Sequence, residues 1–272
     1  MVIDGKKIAL DIIADLKKQP KPKRFLAVFL VGNEASSVSF VKQKRKIAGE
    51  LGVDFRLYEF PESLKQDELR KEVLKIASQK ICGGVIVQLP LPEHINKHSI
   101  LNVIPREKDI DVLGERALGA FYADRNPVLP PAVGAVEEII RNLKLEIRNS
   151  SIAIVGLGLL IGKPTANWIM SRARTVFLLG RDSDLKILKE ADVVICGAGQ
   201  ARLIEPKMLK PMATVIDFGY GMLDGKISGD FNSASLETGN AESGISYTPT
   251  PGGTGPILVT QIFVNFYALN KD

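Results

Sequence analysis

Ser151-Ile152-Ala153-Ile154-Val155-Gly156-Leu157-Gly158-Leu159-Leu160-Ile161-Gly162-Lys163-Pro164 is the stretch that decides the fold. Its first five residues, Ser151–Val155, are a short run rich in β-branched side chains, the composition of a parallel strand covered on both faces. Three glycines punctuate the turn that follows, and the pattern becomes helical over 164–171. Glycine lets the backbone turn sharply and lets a pyrophosphate approach the helix N-terminus, where free amides and the helix dipole favour an anion. The spacing is G-x-G-x-x-x-G, one residue longer than the common dinucleotide pattern, so its strand–turn–helix context carries the reading. A tight packing turn is the competing reading of the glycines alone.

Outward from this turn the same rhythm continues. Strands are expected at Thr175–Leu179, Val193–Cys196 and Thr214–Asp217, and a helix at 133–143. Upstream, the spacing predicts helices over 5–18, 36–51 and 66–78 and strands at Phe25–Val31, 54–59 and 84–88. Ser36 or Ser37 is the expected N-cap of the second helix, and Gly52 its end. Residues 105–131 lack periodicity and read as an irregular crossing between domains. Helices alternating with β-branched runs give an α/β class with a mainly parallel sheet.

Composition narrows the class. A chain of 272 residues with 45% apolar and 25% charged residues can bury one large or two modest cores. No apolar run approaches the ~18 residues of a membrane span, so no membrane association is expected. Cys82 and Cys196 each lie in an apolar stretch, too far apart in sequence to make a disulfide framework, which fits a cytoplasmic setting. His94 and His98 are the two histidines, and with no third ligand at a sensible spacing no metal is expected. The net charge is +5, and residues 1–50 alone carry eleven Lys or Arg against five Asp or Glu. That basic end has no interleaved aromatics, so it reads as a rim attracting a small polyanion rather than nucleic acid.

Four further segments carry chemistry. Phe40 and Lys44 stand four apart on one predicted helix and share a face, and a Lys held against apolar surface can move protons. Gln88 ends a predicted strand, and Leu89-Pro90-Leu91-Pro92 makes a rigid loop at the strand's carboxyl end, where ligands bind in open α/β sheets. Lys108-Asp109-Ile110-Asp111 offers two carboxylates to a cationic or amidine-like group. The loop Thr248-Pro249-Thr250-Pro251-Gly252-Gly253-Thr254-Gly255-Pro256 reads as a shaped ligand wall. Arg181, at the end of the strand after the glycine turn, can meet a 2′-phosphate, whereas neighbouring Asp182 would favour a free ribose hydroxyl.

In this order these segments resemble the bifunctional methylenetetrahydrofolate dehydrogenase/cyclohydrolase family over essentially the whole chain. Ile161-Gly162-Lys163-Pro164, Val215-Ile216-Asp217-Phe218-Gly219 and Gly229-Asp230 add to the match. The resemblance implies an N-terminal α/β folate-binding domain, 1–121 plus 253–272, and a C-terminal Rossmann-like dinucleotide-binding domain, 122–252. It also implies that the last helix, 256–269, packs back on the first domain. Further implications are tetrahydrofolate derivatives as ligands, NADP as cofactor with NAD as the alternative, and a homodimer. Lys44 would handle protons, Gln88 orient it, and Asp111 hold the pterin's aminopyrimidine edge. Phe40 would stack on the substrate, with Pro251, Gly252 and Gly253 lining its pocket or the nicotinamide's. Gly156, Leu157, Gly158, Gly162, Arg181 and Tyr220 would surround the dinucleotide.

The chain departs from the family at four places: Phe40 replaces a Tyr, Val112 a Gly, Pro130-Pro131-Ala132-Val133 a Pro-Cys-Thr-Pro, and Gly156-Leu157-Gly158 a Gly-Arg-Ser. Two other readings follow: a non-catalytic or monofunctional folate- or nucleotide-binding homologue, and a Rossmann dehydrogenase acting on an amino or keto acid. The latter leaves the Gln88 loop and the Pro-Gly loop unexplained.

Overall fold

The computed structural model of the chain describes residues 1–238 and 244–271. They fall into two compact units, Asp11–Pro131 with Val259–Asp272, and Met1–Leu10 with Ala132–Leu258. The first helix, α1 (Gly5–Lys17), and the last contribute residues to both. No helix among the described residues is long and apolar enough to cross a membrane.

In the unit of Asp11–Pro131, β1 (Phe25–Val31) is buried throughout because it is the central strand of a parallel sheet. It is followed by α2 (Ala35–Leu51), β2 (Phe55–Phe60), α3 (Gln66–Ala77) and β3 (Cys82–Val87), in strand order β2-β1-β3. Phe25, Phe29, Val85 and Val87 meet Leu69, Val73 and Ile76 of α3 in the core. The helix N-cap is Glu34 rather than Ser36 or Ser37: its carboxylate accepts from the Ser36 and Ser37 amides at 2.9 and 2.7 Å. A longer acidic side chain one residue outside the helix reaches both free amides at once. Gly52 ends the helix with φ 66, as expected of a left-handed cap.

Residues 105–131 are not wholly irregular. After α4 (Lys97–Leu101) and a 3₁₀ turn at Arg106–Lys108, they hold α5 (Glu115–Tyr122). Only Ala117 and Phe121 of this helix are buried, so two turns left too little period to read.

In the other unit, α6 (Pro131–Leu143) leads to β4 (Ser151–Val155), α7 (Gly162–Ile169), β5 (Thr175–Leu179), β6 (Val193–Cys196) and β7 (Thr214–Asp217). A two-stranded hairpin, β8 (Gly221–Leu223) and β9 (Lys226–Ser228), precedes α8 (Ala234–Thr238), β10 (Ser246–Tyr247) and α9 (Thr254–Leu269). The main sheet is parallel, in order β10-β7-β6-β4-β5, a doubly wound order with β4 beside the glycine turn. The hairpin was invisible to sequence periodicity because its strands have three residues each.

The last helix closes the first unit's sheet. Asn265 donates from Nδ2 to the Ile110 and Leu129 carbonyls, both at 2.7 Å, and fully buried Phe266 lies against Gly84 of β3. A Cβ on Gly84 would stand 2.8 Å from the Phe266 ring, so this strand admits only glycine there.

Candidate active site

Lys44, Gln88 and Asp111 converge in the unit of Asp11–Pro131. The buried face of α2 is Ser37, Val41, Lys44, Ala48 and Leu51, a spacing of four and three that places Lys44 on the core stripe. Lys42, Arg45 and Lys46 point to solvent, and Arg45 lies over the Phe55 ring at 5.7 Å. A run of basic residues is thus divided by the helical period into one buried amine and a solvated rim. Gln88 continues β3 by one residue, its amide donating to the Phe29 carbonyl at 2.9 Å. Its Nε2 donates to the Leu89 carbonyl at 2.8 Å, which leaves Oε1 to accept from Lys44 Nζ at 2.9 Å.

Burial lowers the pKa of Lys44, and the charge of Asp111 opposes that shift. Asp111 is itself raised by burial and pulled back down by Lys44. Burial thus shifts the two groups in opposite directions, the amine down and the carboxyl up, and each one's charge opposes the shift of the other. Phe40 lies one turn before Lys44 on α2 and is half-buried.

The two carboxylates of Lys108-Asp109-Ile110-Asp111 divide their work. Asp109 is 1% exposed, and its Oδ2 accepts from the Leu113 and Gly114 amides at 3.0 and 2.8 Å. Burial pushes it up to about 6 despite those bonds. It braces the turn, and Asp111 is the carboxylate that faces the amine. Val112, the residue after Asp111, has φ 54, the left-handed region that a β-branched residue rarely adopts. The family's glycine there has a backbone reason, and this chain holds a strained valine beside Asp111.

In the other unit the glycine turn has the shape its context predicts. Gly156 has φ 87, and a Cβ on it would stand 2.7 Å from the Ala198 backbone. Gly162 opens α7 against the Gly156 carbonyl, where no side chain fits. A Cβ on Gly158 would meet nothing within 4 Å, which leaves an open approach to the backbone. Leu157 is half-buried in the same turn. Arg181 and Asp182 are exposed just past β5, the strand paired with β4. Tyr220 is exposed beyond β7. Pro251, Gly252 and Gly253 follow β10 in a loop tied to Asp217: the Asp217 amide donates to Thr248 Oγ1 and Thr254 Oγ1 donates to the Asp217 carbonyl, both at 2.7 Å.

Among the described residues, the three grouped as a conceivable metal set are Cys196, Asp217 and Asp230, and neither histidine belongs to it. The Asp217 oxygens accept from the Gly219, Asp230 and Phe231 amides at 2.7, 3.2 and 2.9 Å, and Cys196 Sγ lies 3.4 Å from Oδ1. Oxygens engaged by amides in this way brace loops rather than present an open ligand shell. Sequence reasoning quoted Asp217 and Asp230 as motif residues and gave them no role.

A chain that joins a parallel-sheet unit carrying a strand–glycine turn–helix motif to a second α/β unit with a buried Lys–Gln–Asp constellation has the make-up of a two-unit dinucleotide-dependent enzyme class. The chain belongs to the tetrahydrofolate dehydrogenase/cyclohydrolase family: that family's catalytic domain matches residues 3–111 and its NAD(P)-binding domain residues 130–272. It is 31% identical to a Macrococcus caseolyticus bifunctional protein FolD, over 97% of this chain and 95% of the relative. A bifunctional methylenetetrahydrofolate dehydrogenase/cyclohydrolase from Campylobacter jejuni matches with TM-score 0.92 and 28% identity, over 99% of this chain and 98% of that one. A Trypanosoma brucei FolD, solved with NADP and an inhibitor, matches with TM-score 0.90 and 28% identity over 99% and 96%. These relatives are bifunctional enzymes, which favours catalysis over a non-catalytic homologue.

Proposed function

We propose that this chain oxidises 5,10-methylenetetrahydrofolate to the 5,10-methenyl form with NADP and hydrolyses that to 10-formyltetrahydrofolate, with Lys44 as its proton carrier. The observation that carries the reading is the buried Lys44 Nζ, hydrogen-bonded to Gln88 at 2.9 Å and faced by Asp111. NADP supplies the hydride acceptor. In the hydrolytic step water adds to the methenyl carbon and loses a proton, and the bond from that carbon to N5 opens. A buried amine with a lowered pKa takes the water's proton and returns one to the departing nitrogen, and the remaining hydroxyl proton leaves to solvent as the formyl carbonyl forms.

Gln88 orients Lys44 through an oxygen fixed by its second bond. Asp111 holds the aminopyrimidine edge of the pterin, and Phe40 stacks on the substrate without the hydroxyl a tyrosine would bring. Gly156, Leu157, Gly158 and Gly162 receive the pyrophosphate, Arg181 the 2′-phosphate, and Tyr220 lies beside the dinucleotide. Pro251, Gly252 and Gly253 line the folate or nicotinamide pocket. The open approach at Gly158 and the helix start at Gly162 fit such a group. The working form is a cytoplasmic homodimer.

Lys44→Met tests this reading. Methenyl hydrolysis should fall by about 10²–10⁴-fold, the typical worth of one acid–base group, with the fold intact. Hydrolysis at the parent rate would overturn it.

A further inference from the structure

Asp230 lies just past the hairpin β8–β9 and is fully buried. Its carboxylate accepts from three successive backbone amides of the loop after β6: Oδ2 from Ala198 at 2.6 Å and Gly199 at 3.3 Å, Oδ1 from Gln200 at 2.8 Å. The backbone around it is sewn to the same loop, since Arg202 donates to the Gly229 carbonyl and Ile204 to the Asp230 carbonyl, both at 2.9 Å. This loop is exposed over Ala198–Gln200 and forms the wall against which Gly156 packs, at the carboxyl end of the central strands. In open α/β sheets that edge is where a dinucleotide lies. Free amides there would offer the phosphates a second cradle, and a flexible wall would widen the turn.

We infer that Asp230 is a positioning residue for the cofactor: it turns the Ala198, Gly199 and Gln200 amides inward and so fixes the wall that keeps the dinucleotide on the Gly156–Gly162 turn. The inference rests on the proposed dehydrogenase reading and adds to it a residue that touches neither substrate nor cofactor. Carboxylate oxygens are acceptors only, so one residue can hold three donors. An asparagine of the same shape turns a donor toward one side of the loop and cannot hold all three.

The test is Asp230→Asn in the full chain, read three ways. Amide hydrogen exchange at Ala198, Gly199 and Gln200 should become faster while β6 keeps its protection. The calorimetric Kd for NADP should rise about ten-fold or more. Methenyl hydrolysis measured without NADP should stay within about two-fold of the parent, because that chemistry resides on Lys44. Unchanged exchange at the three amides, an unchanged Kd, or loss of β6 protection together with hydrolysis would each overturn the inference. A parent chain that binds no NADP would instead sink the dehydrogenase reading, and the exchange result would still decide what Asp230 holds.

Discussion

Lys44 Nζ donates to Gln88 Oε1 at 2.9 Å, joining residues 44 apart in the chain through a bond with both ends buried. The amine would be solvated on an isolated helix; β3 and the loop after it exclude water from it and supply a neutral oxygen in exchange. A neutral partner does not stabilise the ammonium as a carboxylate would, so burial keeps the upper hand and the pKa falls.

Asp111 is the counterweight. Asp111→Ala should weaken folate binding by roughly 1–3 kcal/mol, the cost of stripping a buried charged hydrogen bond, with NADP affinity largely unchanged. It should also lower the Lys44 pKa further, because the opposing carboxylate is gone. The acid limb of the hydrolysis pH profile should therefore move to lower pH. Titration of folate binding and a pH series on hydrolysis check both; loss of NADP affinity instead would place Asp111 at the wrong ligand.

Cofactor choice should follow Arg181. The family's Arg and Ser are Leu157 and Gly158 here, neither with charge or hydroxyl, while Arg181 stands exposed at the end of β5. An exposed guanidinium on a phosphate contributes about 1–2 kcal/mol, so the preference for NADP over NAD should be about ten-fold. The ratio of kcat/KM for the two cofactors, in the parent and in Arg181→Ala, measures it. A parent that prefers NAD, or a ratio that does not move, would show that Arg181 does not read the phosphate.

Asp109 makes stability depend on pH in a direction opposite to a salt-bridged carboxylate. Its folded value of about 6 lies above the unfolded 3.8, so the folded chain holds this proton more tightly. Its contribution is greatest below pH 3.8, declines as pH rises toward 6, and is level above that. Asp217, also raised to about 6 by burial, acts in the same window. Asp109→Asn keeps an oxygen for Leu113 and Gly114 and removes the charge, so it should flatten this part of the stability profile without abolishing it. Urea unfolding at several pH values between about 4 and 7 measures the slope; an unaltered slope would exclude burial of Asp109 as its cause.

The parallel frame was legible in the sequence. Phe25–Val31, Thr175–Leu179, Val193–Cys196 and Thr214–Asp217 are strands with the bounds their apolar runs predict. Phe25–Val31 and Val193–Cys196 are buried along their whole length and are therefore apolar residue after residue, while the edge strand Thr175–Leu179 is mostly half-buried and keeps its apolar run. The glycine turn was legible for a similar reason: positive φ at Gly156 and the close approach of Gly162 admit no other residue. Tertiary structure alone decided which polar groups sit inside that frame. Lys42, Lys44, Arg45 and Lys46 are chemically alike in one dimension, and only packing against β3 buries Lys44. Asp109 and Asp111 are two letters apart, yet one is consumed by backbone amides and the other faces the amine. Asp230 gathers three amides from thirty residues upstream. Periodicity records which side of an element meets apolar surface; a buried charge is set by partners brought from elsewhere in the chain, and no local pattern encodes them.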